Sequence, residues 1–305
     1  MNNNEIFVTG GSGFVGSRLI HQLAAQGCAV TAAVRSRADD GVPTWIDDLA
    51  GHAVVIHCAA RVHVLDEPAA DPLAEFRRAN VEGTLRLARQ AAAAGVRRFV
   101  FISSIKVNGE VTAPGRPFTA FDRPAPQDAY GISKLEAEQG LRELAQQTGM
   151  QLVIIRPVLV YGPGVKANFR TMLRWLSKGV PLPLASINNR RSLLGLDNLV
   201  DLIITCIDHP AAAGETFLAS DGEDLSTTEM LQRLGRALGK PARLVPVPAG
   251  LLQAGAGLLG KSSVSQRLCG SLQVDICHTC ATLKWTPPVS IDDGFRATAS
   301  AFLTE

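Results

Sequence analysis

Tyr130-Gly-Ile-Ser-Lys134 sets a phenol and an ammonium one helical turn apart, on one face of a predicted amphipathic helix. A free tyrosine ionises near pH ~10 and is a poor proton carrier at neutrality; a cation beside it favours the phenolate. Lowering that pKa by about three units takes roughly 4 kcal/mol of differential stabilisation. Only two tyrosines occur, Tyr130 and Tyr161. A Tyr-x-x-x-Lys pair alone says little, because many surface helices carry one. Its weight comes from a hydroxyl upstream, Ser104, and from a glycine-rich turn near the N-terminus.

That turn is Thr9-Gly-Gly-Ser-Gly-Phe-Val-Gly16. It follows the apolar run Ile6-Phe7-Val8 and precedes a helical pattern in Phe14, Val15, Leu19, Ile20 and Leu23. Strand, glycine turn and helix in that order form the context of a dinucleotide-binding fingerprint. Gly10 makes the tight turn, Gly13 lets the backbone approach a pyrophosphate, and Gly16 lets helix and strand pack closely. Free N–H groups at the helix start then face the phosphate charge. Gly11, Gly13 and Gly16 also satisfy the Gly-x-Gly-x-x-Gly spacing, so the pattern matches in two registers.

The elements that must hold these groups alternate between strand and helix patterns through the first two-thirds of the chain. Ala29 to Val34 and Ala53 to Cys58 read as strands, and Asp71-Pro72 supplies an N-cap and a first-turn proline for a helix to about Ala94. Arg98 to Ser103 and Gln151 to Arg156 are apolar strands flanking a Pro- and Gly-rich loop and the helix of Tyr130. Such alternation predicts an α/β fold, a Rossmann-type doubly wound parallel sheet with ligands at the strand C-termini. Gly10, Ser104 and the loop after Arg156 converge on that edge. After about Tyr161 the pattern changes, so residues 1–162 read as the nucleotide-binding domain and 163–305 as a smaller mixed substrate domain, partly interleaved with the first.

At 305 residues the chain can bury a large core. A formal charge of +2 without a basic run argues against a nucleic-acid partner. Met1-Asn-Asn-Asn-Glu has no signal-segment character, and Leu251-Leu-Gln-Ala-Gly-Ala-Gly-Leu-Leu259 is too short to span a bilayer, so a cytoplasmic protein without membrane insertion is expected. Contact of that segment with a membrane surface is the alternative to packing on the protein. The six cysteines read as small buried hydrophobes. Cys277-His-Thr-Cys280 lacks the second Cys/His pair that a zinc site needs, and no metal is expected.

Thr9-Gly-x-x-Gly-x-x-Gly16, Ser104 and Tyr130-x-x-x-Lys134 together resemble the extended short-chain dehydrogenase/reductase family, in its nucleotide-sugar 4-epimerase and 4-reductase branch. His57-Cys-Ala-Ala60, Asn80-Val-Glu-Gly-Thr84, Phe101 to Gly109 and Arg156 to Gly164 resemble further family segments, so the likeness covers essentially the whole chain. It implies that Tyr130 exchanges the proton at the sugar oxygen. It also implies that Lys134 lowers the phenol's pKa and holds the nicotinamide ribose, while Ser104 hydrogen-bonds the reacting oxygen. Cofactor contacts are implied at Gly10, Gly13, Phe14 and Val15, at Ala59, Ala60 and Asn80, and at Tyr130, Lys134 and Pro157. Substrate contacts are implied at Ser104, Lys106, Asn168, Arg191 and Arg267, where an arginine's planar fork suits phosphate oxygens. A homodimer through the helices around 74–94 and 129–147 is expected by resemblance.

The chain departs from the family in ways that bear on chemistry. Its second strand ends in Ala33-Val34-Arg35, and an arginine there suits the 2′-phosphate of NADP better than the ribose hydroxyl of NAD. The connection from Arg35 to Ala53 is short for a third strand, and Val107-Asn108-Gly109, preceded by Lys106, stands where epimerases commonly carry Val-Tyr-Gly. Arg35 favours an NADP-linked reductase, and Ser103 to Glu110 resembles the segment of enzymes that reduce a UDP-4-keto-6-deoxy-N-acetylhexosamine in surface-polysaccharide synthesis, which is the activity the resemblance implies. The alternatives are a UDP-sugar 4-epimerase with bound NAD and, from another class, a non-catalytic cofactor-binding protein. Arg35→Asp should shift cofactor preference from NADPH toward NADH; an unchanged ratio of the two dissociation constants refutes the NADP assignment.

Overall fold

The computed structural model describes residues 5–33, 35–37, 43–45, 49–62, 71–258 and 262–305. Its centre is a six-stranded, wholly parallel sheet, ordered β10-β7-β6-β5-β1-β2. β1 (Glu5–Thr9) leads through the glycine turn into α1 (Phe14–Ala25), and β2 (Val30–Ala32) returns beside β1. On the other side of β1 lies β5 (His52–His57). The strand order therefore reverses at β1, which opens a crevice at the carboxyl ends of β1 and β5.

The short connection after β2 explains the missing neighbour on its outer edge. Among the described residues no third parallel strand follows there; 35–37 and 43–45 form a separate antiparallel pair, β3 (Arg35–Arg37) against β4 (Pro43–Trp45). The second strand is also shorter than its apolar pattern predicted; Val34 lies outside the described residues, as does the side chain of Arg35.

α2 (Pro72–Phe76) begins as expected, with Asp71 accepting from the Ala74 N–H at 3.1 Å and Pro72 in the first turn. It runs through a wide π-type stretch, Arg77–Glu82, into α3 (Gly83–Ala93). Such widened turns displace one side chain from the regular helical stripe; here the stretch carries Asn80. β6 (Arg98–Ile102), α4 (Ala129–Thr148) and β7 (Gln151–Pro157) follow. Leu87, Ala88 and Ala91 of α3 and Ala137 and Leu141 of α4 pack on one sheet face against Phe99, Phe101 and Leu152. On the opposite face, Leu19 and Leu23 of α1 share a core with α6 (Leu196–Asp208). Each fully buried leucine contributes on the order of 2 kcal/mol.

β8 (Leu159–Tyr161) leaves the main sheet and pairs in parallel with β9 (Arg191–Gly195), which pairs antiparallel with β11 (Asp224–Leu225). α5 (Ala167–Ser177), α7 (Thr227–Ala237) and α11 (Ile291–Thr304) build a second core around Tyr161, Phe169, Leu231 and Phe295. Between them the chain returns to the first unit: α6 covers the main sheet, and β10 (Thr216–Ala219) pairs with β7 as its last strand. α8 (Ala249–Leu258) and α9 (Ser262–Cys269) pack on each other, and α10 (Cys277–Leu283) lies against β10. Among the described residues, no helix is long and apolar enough to cross a membrane.

Arg98 shows how the sheet holds its covering helix. The side chain is 1% exposed. Its guanidinium donates to Gln151 Oε1 at 2.7 and 2.9 Å and to the carbonyls of Cys206, Ile207 and His209 at 2.7–3.0 Å. The cation thus caps the negative end of α6. Arg98→Met, which keeps the apolar stem but strands these acceptors, should destabilise the protein by about 3 kcal/mol in urea unfolding.

Candidate active site

The glycine turn is built from contacts that leave no room for side chains. Gly10 has φ +74°, and a Cβ there would sit 2.7 Å from the Ala59 nitrogen. A Cβ on Gly16 would lie 2.2 Å from the Gly10 carbonyl oxygen, so α1 presses directly on the turn. Gly13 occupies the N-cap, no side chain caps the helix, and its first turn contains no acid. Phe14 and Val15 therefore begin a helix whose leading N–H groups face an uncontested anion position. This cradle fits a dinucleotide diphosphate.

The neighbouring loop is held by buried polar contacts. His57 spans Thr9 Oγ1 at 2.7 Å and Thr84 Oγ1 at 2.9 Å through its two ring nitrogens. Burial pushes its pKa down to about 3, with the Lys134 charge adding to the effect, so it is a neutral strut. Ala59 donates its N–H to Thr9 Oγ1 at 3.3 Å, and Ala60 follows it in the same loop. Asn80, 1% exposed, accepts from the Arg61 N–H at 2.8 Å and donates to the Arg61 carbonyl and to Ser133 Oγ, both at 3.0 Å. All of these contacts are with protein. Asn80 thereby clamps the loop after β5 to α4, the helix that carries Tyr130.

On α4, Asp128 caps the first turn by accepting the Gly131 N–H at 2.7 Å. Ser104 lies just past β6, where its hydroxyl accepts the Lys106 N–H at 3.2 Å and lies near enough to the Tyr130 phenol to draw its pKa down. Lys134 is 1% exposed; its Nζ donates to the Ile102 carbonyl at 2.7 Å and sits 4.1 Å from the Phe101 ring centroid. The three residues are thus brought together at the end of β6. Their electrostatics differ from expectation. Burial first and the Asp128 carboxylate second push the Tyr130 phenol up to about 12, against the opposing pull of the Ser104 hydroxyl. Burial also brings Lys134 down to about 7, opposed by Glu138 and Cys58. The expected lowering of the phenol by Lys134 is absent because desolvation weighs on both groups and the ammonium is directed at a backbone carbonyl.

A network that the motifs did not flag lies beneath the trio. Arg156, 4% exposed, donates to both carboxylate oxygens of Glu138, 1% exposed, and to Asn108 Oδ1 at 2.9 Å. Ser103 Oγ donates to the same carboxylate, and Asn108 donates to the Thr119 carbonyl at 3.0 Å. The detectable signal was Glu138, two turns after Tyr130 and one after Lys134 on the same helix face. Lys106, assigned to substrate on resemblance, has its ammonium held by Glu110 at 2.9 Å and by Asp128.

On the substrate side, Asn168 is exposed in the first turn of α5, and Pro157 ends β7 in the buried sheet. Arg191 donates to the Gly270 carbonyl at 3.1 Å. Its pKa is lowered first by burial and then by the charge of Arg267. Among the described residues no carboxylate pairs with either arginine, so two neighbouring cations share one partly buried place. The segment 270–275 joins them to the first unit through Leu272, which donates to the Arg190 carbonyl at 2.9 Å, and Phe118, which donates to Gln273 at 2.8 Å. Cys277 and Cys280 are free thiols, and the intervening His278 bonds Glu215 at 3.0 Å.

Residues 6–219 match the NAD dependent epimerase/dehydratase family. A UDP-glucose 4-epimerase of Vibrio cholerae is 51% identical over 313 residues, covering 98% of this chain and 95% of that protein. The fold is shared with RMD from Pseudomonas aeruginosa complexed with NADPH, at TM-score 0.79 and 23% identity over 99% and 100% of the two chains. It is also shared with UDP-glucuronic acid 4-epimerase from Bacillus cereus in complex with NAD, at TM-score 0.77 and 18% identity over 98% and 99%.

Lys134 makes a signed pH prediction. The folded protein releases this proton near 7, whereas the unfolded chain keeps it up to 10.5. Between those values the unfolded state binds more protons, so Lys134's contribution to stability rises with pH. Denaturant unfolding of wild type and Lys134→Met should show the wild type gaining on the variant from neutral to alkaline pH. A difference independent of pH refutes the buried, low-pKa ammonium.

Proposed function

The chain belongs to the NAD dependent epimerase/dehydratase family, and from that premise we propose that it is an NAD(P)-dependent oxidoreductase acting at carbon 4 of a nucleotide-activated sugar, specifically a UDP-sugar 4-epimerase. The observation that carries the reading is the gathering of Ser104, the buried Tyr130 phenol and the buried Lys134 on the strand edge that also bears the glycine cradle. The choice of epimerase rests on the 51% identity to a UDP-glucose 4-epimerase over nearly both lengths. The reductase that the sequence favoured rests on Arg35, and it is kept as the second reading.

A nicotinamide, when bound, supplies the hydride acceptor and donor. The proton belongs to Tyr130. With its pKa at about 12, the phenol is set to give a proton to a carbonyl oxygen. Taking a proton from a hydroxyl requires added positive charge beside it, which Lys134 would supply in its protonated form once its ammonium turned from the Ile102 carbonyl toward the phenol. Ser104 holds the sugar oxygen in line with the phenol. Arg191 and Arg267 hold the substrate diphosphate, their two charges matching its own. Asn168 stands by the nucleotide, and Lys106 acts through Asp128 on the first turn of α4. Asn80 keeps the cofactor loop and the catalytic helix in register.

The test is to supply purified protein with UDP-glucose or UDP-galactose and, separately, with NADPH and a UDP-4-keto-6-deoxy-N-acetylhexosamine. Interconversion of the 4-epimers without net loss of cofactor is expected. Stoichiometric NADPH oxidation with the keto sugar alone selects the reductase, and cofactor binding without turnover in either assay refutes both. Tyr130→Phe should retain cofactor affinity while kcat falls by about 10²–10⁴; near-normal kcat contradicts the proton role.

A further inference from the structure

We propose that the outer face formed by α5, the 180–185 and 240–248 segments and α8 docks the protein on an anionic lipid surface, lying on the bilayer without crossing it. The first observation is a segregation of charge. Residues 162–196 and 230–274 carry twelve of the thirty lysines and arginines and none of the twenty-eight aspartates and glutamates. No cluster is visible along the chain, because the cations are spaced singly or in one pair. Folding brings the two segments together. Leu182 donates to the Arg243 carbonyl at 2.9 Å, Val245 to Leu182 at 2.8 Å and Ala185 to Val245 at 3.1 Å. Lys240 Nζ donates to the Ser177 carbonyl at 2.8 Å, and Arg243 lies against Gly179.

The second observation is what stands among these cations. On α5, Phe169, Leu173 and Leu176 point into the core, which leaves Arg174, Trp175 and Lys178 together on the outer face. In the extended 243–245 stretch Arg243 and Val245 face outward, while Leu244 packs inward. Trp175 is 43%, Val180 37% and Val245 46% exposed. The run 244–260 has no charged residue, yet its helix α8 is mostly exposed, with Leu251 at 66%. An apolar helix left on the surface a few residues beyond the outward-facing Arg243 and Val245 is the composition of an interfacial element.

The cations point to the occupant. Arg170 pairs with Glu305, Arg190 approaches Glu229, and Arg233 pairs with Glu223 and Asp292. Among the described residues, Arg174, Lys178, Lys240 and Arg243 meet no carboxylate. A second copy of the same face would set these like charges against each other. Anionic headgroups would neutralise them, while Trp175, Val180, Val245 and Leu251 enter the headgroup boundary. None of these residues belongs to the candidate active site, so the inference stands apart from the proposed function.

The full-length protein should sediment with phosphatidylcholine vesicles containing about a third phosphatidylglycerol at low salt, and not with pure phosphatidylcholine vesicles. Salt should release it, since headgroup attraction is screened within ~8 Å at physiological ionic strength. Removing each of Arg174, Lys178 and Arg243 by substitution to Gln should weaken the partition roughly fivefold, as expected for about 1 kcal/mol per basic residue. Leu251→Asp should weaken it at every salt concentration. The fluorescence difference between wild type and Trp175→Phe should shift to the blue on anionic vesicles. Thermal midpoint and cofactor affinity should match wild type in all variants. Equal sedimentation with both vesicle types, no sedimentation with anionic vesicles at low salt, or a concentration-dependent dimer abolished by Leu251→Asp without any lipid effect would each overturn the proposal.

Discussion

The buried pair of Glu138 and Arg156 is the constraint on which the active edge depends. Glu138 belongs to the catalytic helix and Arg156 to the strand beneath it, so their double contact fixes how α4 lies across the sheet. Taking both charges out of water costs several kcal/mol per ion unless every remaining donor and acceptor is satisfied. Here Ser103 and Asn108 complete the set, and both come from the loop that bears Ser104. One ionic contact therefore registers helix, strand and catalytic loop together. Buried polar groups of this kind are selective rather than merely adhesive, because a small shift leaves a charge unpaired.

Given that registration, Lys134 can be held where its charge is poorly stabilised. It has a carbonyl and an aromatic face in place of a carboxylate. The outcome is a group poised near 7 beside a phenol near 12, a pairing whose ionisation responds to any further charge. His57 and Asn80 act differently. They are satisfied within the protein, and they hold the glycine cradle and α4 in fixed relation. The site divides into a rigid, fully bonded frame and a reactive pair whose charges the frame leaves adjustable.

The substrate side shows the same separation of duties at larger scale. Arg191 and Arg267 meet in a partly buried place without a carboxylate, while the surrounding segments present further cations to solvent. Buried arginines suit a small anion that must be oriented, since a fixed fork gives directional hydrogen bonds. Exposed, flexible cations mixed with Trp175 and Leu251 suit an extended, fluid anionic surface. The two sets share a sign of charge and differ in burial, which decides what each can recognise.

Local rules made much of this readable. The apolar runs, the Asp71-Pro72 start and the glycine spacing follow from short-range sterics and hydrogen bonding, and the strands, α2 and the turn lie where those rules put them. Ser104, Tyr130 and Lys134 were legible as a set because a helical repeat and a strand end fix their positions from sequence. The ion pairs of Lys106 with Glu110 and Asp128 were not legible, since they depend on how a loop of many residues folds back. The antiparallel pairing of β3 with β4 and the return of β10 to the main sheet depend likewise on contacts beyond the local sequence. The sequence by itself determined which chemistry the chain could carry, because types and spacings along one helix or turn are local properties. Tertiary structure alone decided the protonation of Tyr130 and Lys134 and the gathering of scattered cations on one face, because desolvation and long-range charge depend on neighbours distant in the chain.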